Sequence, residues 1–363
     1  MKKGLLLTIS VLLALIPNLA MAKISRTPKK VARIELGTKD SQVGVFWVDE
    51  NEPNPEGLSN EGVGGMAVDG DGNIYLNDYV NGKIKKFSPS GKFLVATAGV
   101  LENIQSFAVD LKGNIFVHND SWGSRISKFD PAGNLVWSRS RGEMLSQALL
   151  EKAGKDFKVE ISRDLGAWMT VGPGDNVIIQ LNGRDPTTKK ARSFGLELDQ
   201  AGKAIKILPG FRPAAGGLWL GYETFRKDEE PPSSIEAVLY KPDGAVARRV
   251  ALGSKAELAR QYAGVRFGLS TMLPDPKGGF ITVSHALSSK PTSDLPYIAS
   301  GVEVVLNWYA PNGTFVEQLR LPTSPVSRAI ASNIAVAPDG SIYHLQFDKT
   351  GIDVFAYRPA KAK

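Results

Sequence analysis

Residues 65–76, GMAVDGDGNIYL, place two short apolar runs on either side of a Gly/Asp turn. Strand-forming residues flanking Asp-Gly predict a β-hairpin. The pattern restarts 41 residues on, as SFAVDLKGNIFV from Ser106. It returns more loosely as MTVGPGDNVII from Met169, MLPDPKGGFITV from Met272 and IAVAPDGSIYHL from Ile334. A second signature follows most of these hairpins: SPSG (88–91), DPAG (130–133), DQAG (199–202), KPDG (241–244) and APNG (310–313). In such turns proline presets the first corner and glycine supplies the positive φ, so each is a tight turn between two further strands.

Together the two signatures define a four-stranded unit with a period near 40 residues, which is the mark of a β-propeller. The last unit ends DVFAYRPAKAK, without a glycine turn or a fourth strand. The segment VARIEL (31–36) is a spare strand, and pairing it beside 354–357 closes the ring and removes the open sheet edge. Five complete outer turns and one closed from the N-terminus predict an all-β, six-bladed propeller of four-stranded antiparallel blades. Blade four, around GGLWLGYETF, is irregular. Two links between blades, 140–157 and 253–264, carry helical spacing and are expected to be short helical insertions.

The stretch VDGDGNIYLNDYVNGKIKKFSPSGKFL (68–94) closely resembles one complete NHL repeat, and VDLKGNIFVHNDSWGSRISKFDPAGNLV (109–136) is similar. The resemblance is strong over residues 57–139, weak near Ile334 and loose between. It implies a six-bladed propeller. That family includes enzymes, extracellular receptor domains and binding modules, so the resemblance implies no single activity.

The first 22 residues, MKKGLLLTISVLLALIPNLAMA, read as a signal peptide: a charged start, an apolar stretch and a small-residue cleavage site. The propeller is then expected over residues 23–363, in the periplasm or secreted. The apolar run falls short of the about 20 residues a bilayer span needs, so no membrane span is expected in the mature chain. There is no cysteine, which excludes disulfides, a thiol nucleophile and a cysteine-linked lipid. The formal charge of +7 falls to about +5 without Lys2 and Lys3. That mild excess suits an anionic small molecule, a glycan or an envelope protein. No Lys/Arg-rich run suggests nucleic acid, and a monomer is expected.

The turns within first and last strand pairs are uniformly tight, whereas the links at the other end of the blades carry the length. These are NGRDPTTKKARS (182–193), FRKDEEPPSS (225–234) and HALSSKPTSDLPYIASG (285–301). Long loops gathered on one face are where function concentrates. Six residues before the apolar residue that opens blades three, five and six stand Arg163, Arg266 and Arg328. Blade four gives Arg212 if Leu218 is its landmark, while blades one and two give Asn60 and Leu101. Equivalent positions form a ring at the channel mouth, so these guanidiniums would converge on a carboxylate, sulfate or phosphate. The alternative is that each pairs with a nearby carboxylate such as Asp164, or faces solvent.

The three histidines, His118, His285 and His344, all fall on second strands, but at three successive repeat positions. Alternate strand residues face opposite ways, which argues against one shared metal. Amidating lyases of this fold carry histidines at innermost-strand starts, where this chain has none near Gly65, Ser106 and Asn333. The oxygen-bearing residues Asn77, Asp78, Asn119, Asp120, Asn182 and Asp185 cluster at second-strand ends. There they are either turn formers or ligands for a calcium ion over the channel, as in gluconolactonase-type propellers, which the architecture resembles. Trp122, Trp168 and Trp219 would stack on a ligand or fill the core between blades. No nucleophile elbow, phosphate loop or dinucleotide fingerprint occurs.

The reading that results is a ligand-binding or protein-interaction module. Arg163, Arg212, Arg266, Arg328, Trp122, Asn119 and Asp120 are its expected ligand contacts. The alternative is a divalent-metal-dependent lactonase or lyase, with His118 or His285 as general base and Asp78, Asn119, Asn182 and Asp185 as calcium ligands.

Overall fold

The computed structural model describes residues 27–47, 61–119, 124–187, 191–224, 234–254, 265–276, 278–288, 303–322 and 333–359. The expected signal peptide lies outside them. No helix among the described residues is long and apolar enough to cross a membrane.

The aspartates that open the turns act as local braces. Asp69 Oδ1 accepts hydrogen bonds from the backbone N–H of Asp71 (3.0 Å) and Asn73 (2.9 Å), and Gly72 turns the chain at φ +79°. Asp110, Asp130 and Asp199 repeat the arrangement two and four residues on. Each brace satisfies backbone donors that a tight turn leaves unpaired.

The chain begins with β1 (Pro28–Glu35), which belongs to the last blade. Blade one is β2 (Val63–Val68), β3 (Ile74–Asp78), β4 (Lys83–Phe87) and β5 (Phe93–Ala96). Blade two is β6 (Ile104–Val109), β7 (Ile115–Asn119), β8 (Arg125–Phe129) and β9 (Leu135–Ser140). Blade three is β10 (Glu160–Val171), β11 (Val177–Arg184), β12 (Ala191–Leu198) and β13 (Ala204–Leu208). Blade four is β14 (Arg212–Pro213), β15 (Trp219–Thr224), β16 (Ser234–Tyr240) and β17 (Val246–Ser254). Blade five is β18 (Val265–Pro274), β19 (Phe280–Ser288), β20 (Glu303–Tyr309) and β21 (Phe315–Pro322). Blade six is β22 (Ile334–Val336), β23 (Ile342–Asp348), β24 (Gly351–Tyr357) and β1.

Ring closure follows the expected pairing. β1 runs antiparallel to β24, with Ala32 opposite Val354 and Ile34 opposite Ile352. Ala32 and Ile34 are buried in one cluster with Val354, Ile352 and Leu345, while Arg33 points outward to Asp348 and Asp353. That alternation is what a half-buried strand requires.

The outer turns also stitch neighbouring blades. Gly133, at φ +83°, lies so close to β5 that a Cβ would stand 2.2 Å from the Ala96 carbonyl oxygen. Its own carbonyl accepts a hydrogen bond from Ala98 N at 2.8 Å.

Blades three and four depart from the regular ring. Ala191 pairs with Thr224 and Arg192 with Glu223, so the two blades join in one eight-stranded sheet. Much of the expected loop 182–193 is strand as well: Asn182 sits opposite Ser193 in the β11–β12 ladder. The expected helical insertion at 140–157 is present as α1 (Arg141–Met144) and α2 (Gln147–Phe157). They are started by Ser140, which forms a capping box with Glu143, and by Ser146. The second expected helix, 253–264, falls on β17 at its start and otherwise outside the described residues.

Candidate functional site

In five blades the landmark residue of the sequence repeat occupies one register position. Met66 faces Leu76, Phe107 faces Val117, Met169 faces Ile179, Met272 faces Thr282 and Ile334 faces His344. Blade four breaks the pattern. Its innermost strand is the two-residue β14, with Arg212 opposite Leu220 and Pro213 opposite Trp219. Leu218 closes the turn after it, bonded through its carbonyl to Ala214 N at 2.8 Å. Leu218 is therefore not the landmark, and Arg212 is not a rim residue six positions ahead of one. It stands within the innermost strand itself. Pro213 and the paired glycines Gly216 (φ +67°) and Gly217 (φ +72°) shorten this strand and hide it from the repeat pattern.

The innermost strands enclose a channel cavity of about 620 Å³ with contributions from all six blades. Its wall is mainly backbone and small or apolar side chains, among them Gly64, Ala67, Ala108 and Ala335. Among the described lining residues Arg212 is the one that carries a charge. It is 5% exposed, lies over the Trp168 ring at 5.7 Å and the Phe211 ring at 5.3 Å, and lines the cavity. Its Nε has no hydrogen-bond partner, and no described carboxylate pairs with it. Burial pulls its pKa down to about 10, so it stays cationic at neutral pH. The two aromatic faces are a partial substitute for an anion.

The other three arginines do not join it. Arg163 is exposed and donates a hydrogen bond to Gln147 of α2, while its neighbour Asp164 pairs with Arg141 at 2.9 Å. Arg266 sits on β18 opposite Leu287, with its side chain outside the described set; Arg328, Asp120 and Trp122 lie outside the described residues altogether.

His118 is buried, with Nε2 2.7 Å from Ser124 Oγ. Ser124 has a positive φ of 51°. Its contact with a histidine six residues back joins the end of β7 to the start of β8, which no sequence spacing signals. His344 is also buried, and burial holds its pKa down near 4. It faces Ile334, whereas His118 faces Ser106, one level away in the repeat. His285 lies on β19 opposite Gly268 and Val304, its side chain outside the described set.

Among the rim residues, Asp78 is wholly buried. Its Oδ2 pairs with Lys85 Nζ at 2.7 Å and accepts from Asn81 Nδ2 at 2.8 Å; its Oδ1 accepts from Gly44 N at 3.0 Å and Asn81 N at 3.2 Å. Both oxygens are engaged, Oδ1 with Gly44 of the preceding loop and Oδ2 with Lys85 and Asn81, which removes Asp78 from the calcium candidates. Asn182 is exposed and accepts from Gln180 Nε2 at 3.0 Å, Asp185 caps Thr187 N at 2.8 Å, and Asn119 lies opposite Ile104 and Arg125. Among the described residues no three His, Asp or Glu side chains converge as a metal site. Trp219 pairs opposite Tyr240 on blade four rather than bordering the cavity beside Arg212.

No family model matches the sequence, and no curated protein does. Solved structures similar to this chain carry diverse descriptions. Hydrazine synthase of Kuenenia stuttgartiensis is 9% identical with a TM-score of 0.45, over 82% of this chain and 76% of that one. Virginiamycin B lyase of Staphylococcus aureus is 9% identical at 0.43, over 91% and 99%. A regucalcin of Agrobacterium tumefaciens, described as calcium-binding, is 12% identical at 0.42, over 82% and 91%. Such likenesses concern fold alone.

Proposed function

We propose that this propeller is a binding protein for an anionic small molecule, held in the central channel on Arg212. The observation that carries the reading is the unpaired, buried guanidinium in a cavity of about 620 Å³. Withdrawing a cation from water without a counter-charge costs several kcal/mol, and an anionic ligand supplies the missing partner. The volume lies in the range of about 300–1,000 Å³ typical of small-molecule sites, which favours a small molecule over a glycan chain or protein as occupant. Trp168 adds a flat apolar surface for the ligand's body. Kinship with NHL-repeat propellers is part of the same reading and rests on the repeats at 68–94 and 109–136.

The test is calorimetric titration of the mature chain with benzoate, phenyl phosphate and phenyl sulfate, for wild type and Arg212→Met. The expected result is binding of at least one anion, weakened about tenfold or more by the substitution, as for a charge-assisted hydrogen bond. Because Arg212 is 5% exposed, affinity should fall only weakly between low and physiological salt, unlike that of an exposed arginine rim. No binding, or binding that Arg212→Met leaves unchanged, overturns the reading.

A further inference from the structure

Trp168 stands where β10 is most irregular. Between Leu165, opposite Leu181, and Met169, opposite Ile179, four steps along β10 correspond to two along β11, so the innermost strand carries two surplus residues. Blades one, two and five carry one surplus residue each near the landmark, between Val63 and Met66, Ile104 and Ser106, and Leu269 and Thr271. A bulge re-aims the side chains it carries. The deeper bulge of blade three closes over Gly166, where a Cβ would stand 2.9 Å from the Gln180 side chain, and leaves Trp168 without a register partner on β11.

The indole crosses a gap in the wall. Blade four offers the channel only the two-residue β14, and Trp168 of blade three reaches past it. Its ring packs against the apolar cluster that blades five and six share, beside the cavity-lining Leu273 and Val336. There it meets the Arg212 guanidinium, 5.7 Å from the ring centre. Trp168 is half-buried and lines the cavity, so part of its surface faces the channel. The one charge among the described lining residues therefore lies beside a wide, flat apolar face. The other large lining side chains, Met66, Phe107, Met169, Leu273 and Ile334, are neutral and apolar.

We infer that Trp168 determines the specificity of the channel, and that the ligand is a flat, singly charged acid: its ring on the indole and its anionic group on Arg212. A planar body makes a full aromatic contact with the indole, which a puckered one of equal size does not. A second negative charge finds no counter-ion on this wall and pays for its lost hydration. The inference rests on the channel reading proposed above and specifies the ligand class within it.

The experiment titrates the mature chain, as wild type, Trp168→Phe, Trp168→Leu and Arg212→Met, with benzoate, cyclohexanecarboxylate and terephthalate. Benzoate and cyclohexanecarboxylate share charge and carbon count and differ in flatness, while terephthalate adds a second carboxylate. Wild type should bind benzoate about fivefold more tightly than cyclohexanecarboxylate, and about tenfold or more tightly than terephthalate. Trp168→Phe should keep the preference for the flat acid. Trp168→Leu should bring the benzoate-to-cyclohexanecarboxylate ratio close to one while dependence on Arg212 persists. Should Trp168→Leu fail to fold, the two wild-type ratios decide by themselves. Arg212-dependent binding in which cyclohexanecarboxylate or terephthalate matches benzoate, or in which Trp168→Leu keeps the wild-type ratio, overturns the inference and leaves the anion reading standing. Absence of binding by all three acids, or binding indifferent to Arg212→Met, overturns both.

Discussion

Arg212 of blade four holds its guanidinium 5.7 Å from the centre of the Trp168 ring of blade three, with no described carboxylate paired to it. Two blades therefore cooperate to keep a cation inside a channel whose wall is otherwise largely apolar. Burying a cation without a counter-charge costs stability, and under the proposed anion-binding role that cost is the trade between stability and function.

It follows that Arg212→Met should stabilise the unliganded protein by about 1–3 kcal/mol, because an uncompensated buried charge is replaced by an apolar side chain of similar length. Urea denaturation with and without ligand reads both halves of the trade. A variant less stable than wild type would mean that stacking on Trp168 and Phe211 outweighs the burial of charge.

His344 makes stability depend on pH. Its folded pKa of about 4 lies below the value near 6.5 of the unfolded chain, since burial disfavours the imidazolium. The unfolded state therefore takes up a proton first as pH falls. The stabilising contribution is fully present above about pH 6.5 and is lost progressively down to about pH 4, by about 3 kcal/mol in all. His344→Leu restores the apolar character of Leu76, Val117 and Ile179 at the matching positions and should flatten this part of the profile. Denaturation curves across that pH range, wild type against variant, give the comparison; parallel curves would assign the acid sensitivity to other groups.

The ion pair of Asp78 with Lys85 is 0% and 1% exposed, and Lys85 Nζ also donates to the carbonyls of Lys39 and Gln42. Removing one partner leaves the other charged and buried, so Lys85→Met should destabilise the protein by about 3–5 kcal/mol. The double change to Lys85→Met and Asp78→Leu should recover part of that loss. A single variant as stable as wild type would show that the 37–44 loop swings away and lets water reach the carboxylate.

The glycines of the turns separate conformational need from close approach. Gly174→Ala, at φ +78° with nothing within 4 Å, meets only the left-handed backbone penalty, about 1–2 kcal/mol. Gly133→Ala meets that penalty and a collision with the Ala96 carbonyl, and should lose about 1–3 kcal/mol more. Equal losses at the two sites, measured by thermal and urea unfolding, would mean that blades one and two can part without strain.

The fold was legible because its signals are local. Asp-Gly turns such as 69–72 act through bonds two and four residues apart, and β1 is recognisable as the strand missing from the last blade. The site was legible only in part. Arg212 is singled out by counting back from Leu218, yet that count has the wrong origin, since Pro213 and the glycines after it compress the innermost strand to two residues. Arg163 is found by a sound count from Met169 but is drawn to Gln147 of the inserted helix. Asp78 has the residue type and strand-end position of a calcium ligand, and nothing in its own segment shows that Lys85 and the 37–44 loop occupy it.

By itself, then, the sequence determines the six-bladed ring, the closure by β1 and the turn chemistry, because each depends on contacts between near neighbours or on a repeating period. The tertiary structure alone decides whether a buried polar residue such as Arg212 is left without a partner. Whether Arg212 is matched depends on what the neighbouring blade brings around it, and burial and pairing of that kind leave no mark on any one stretch of chain.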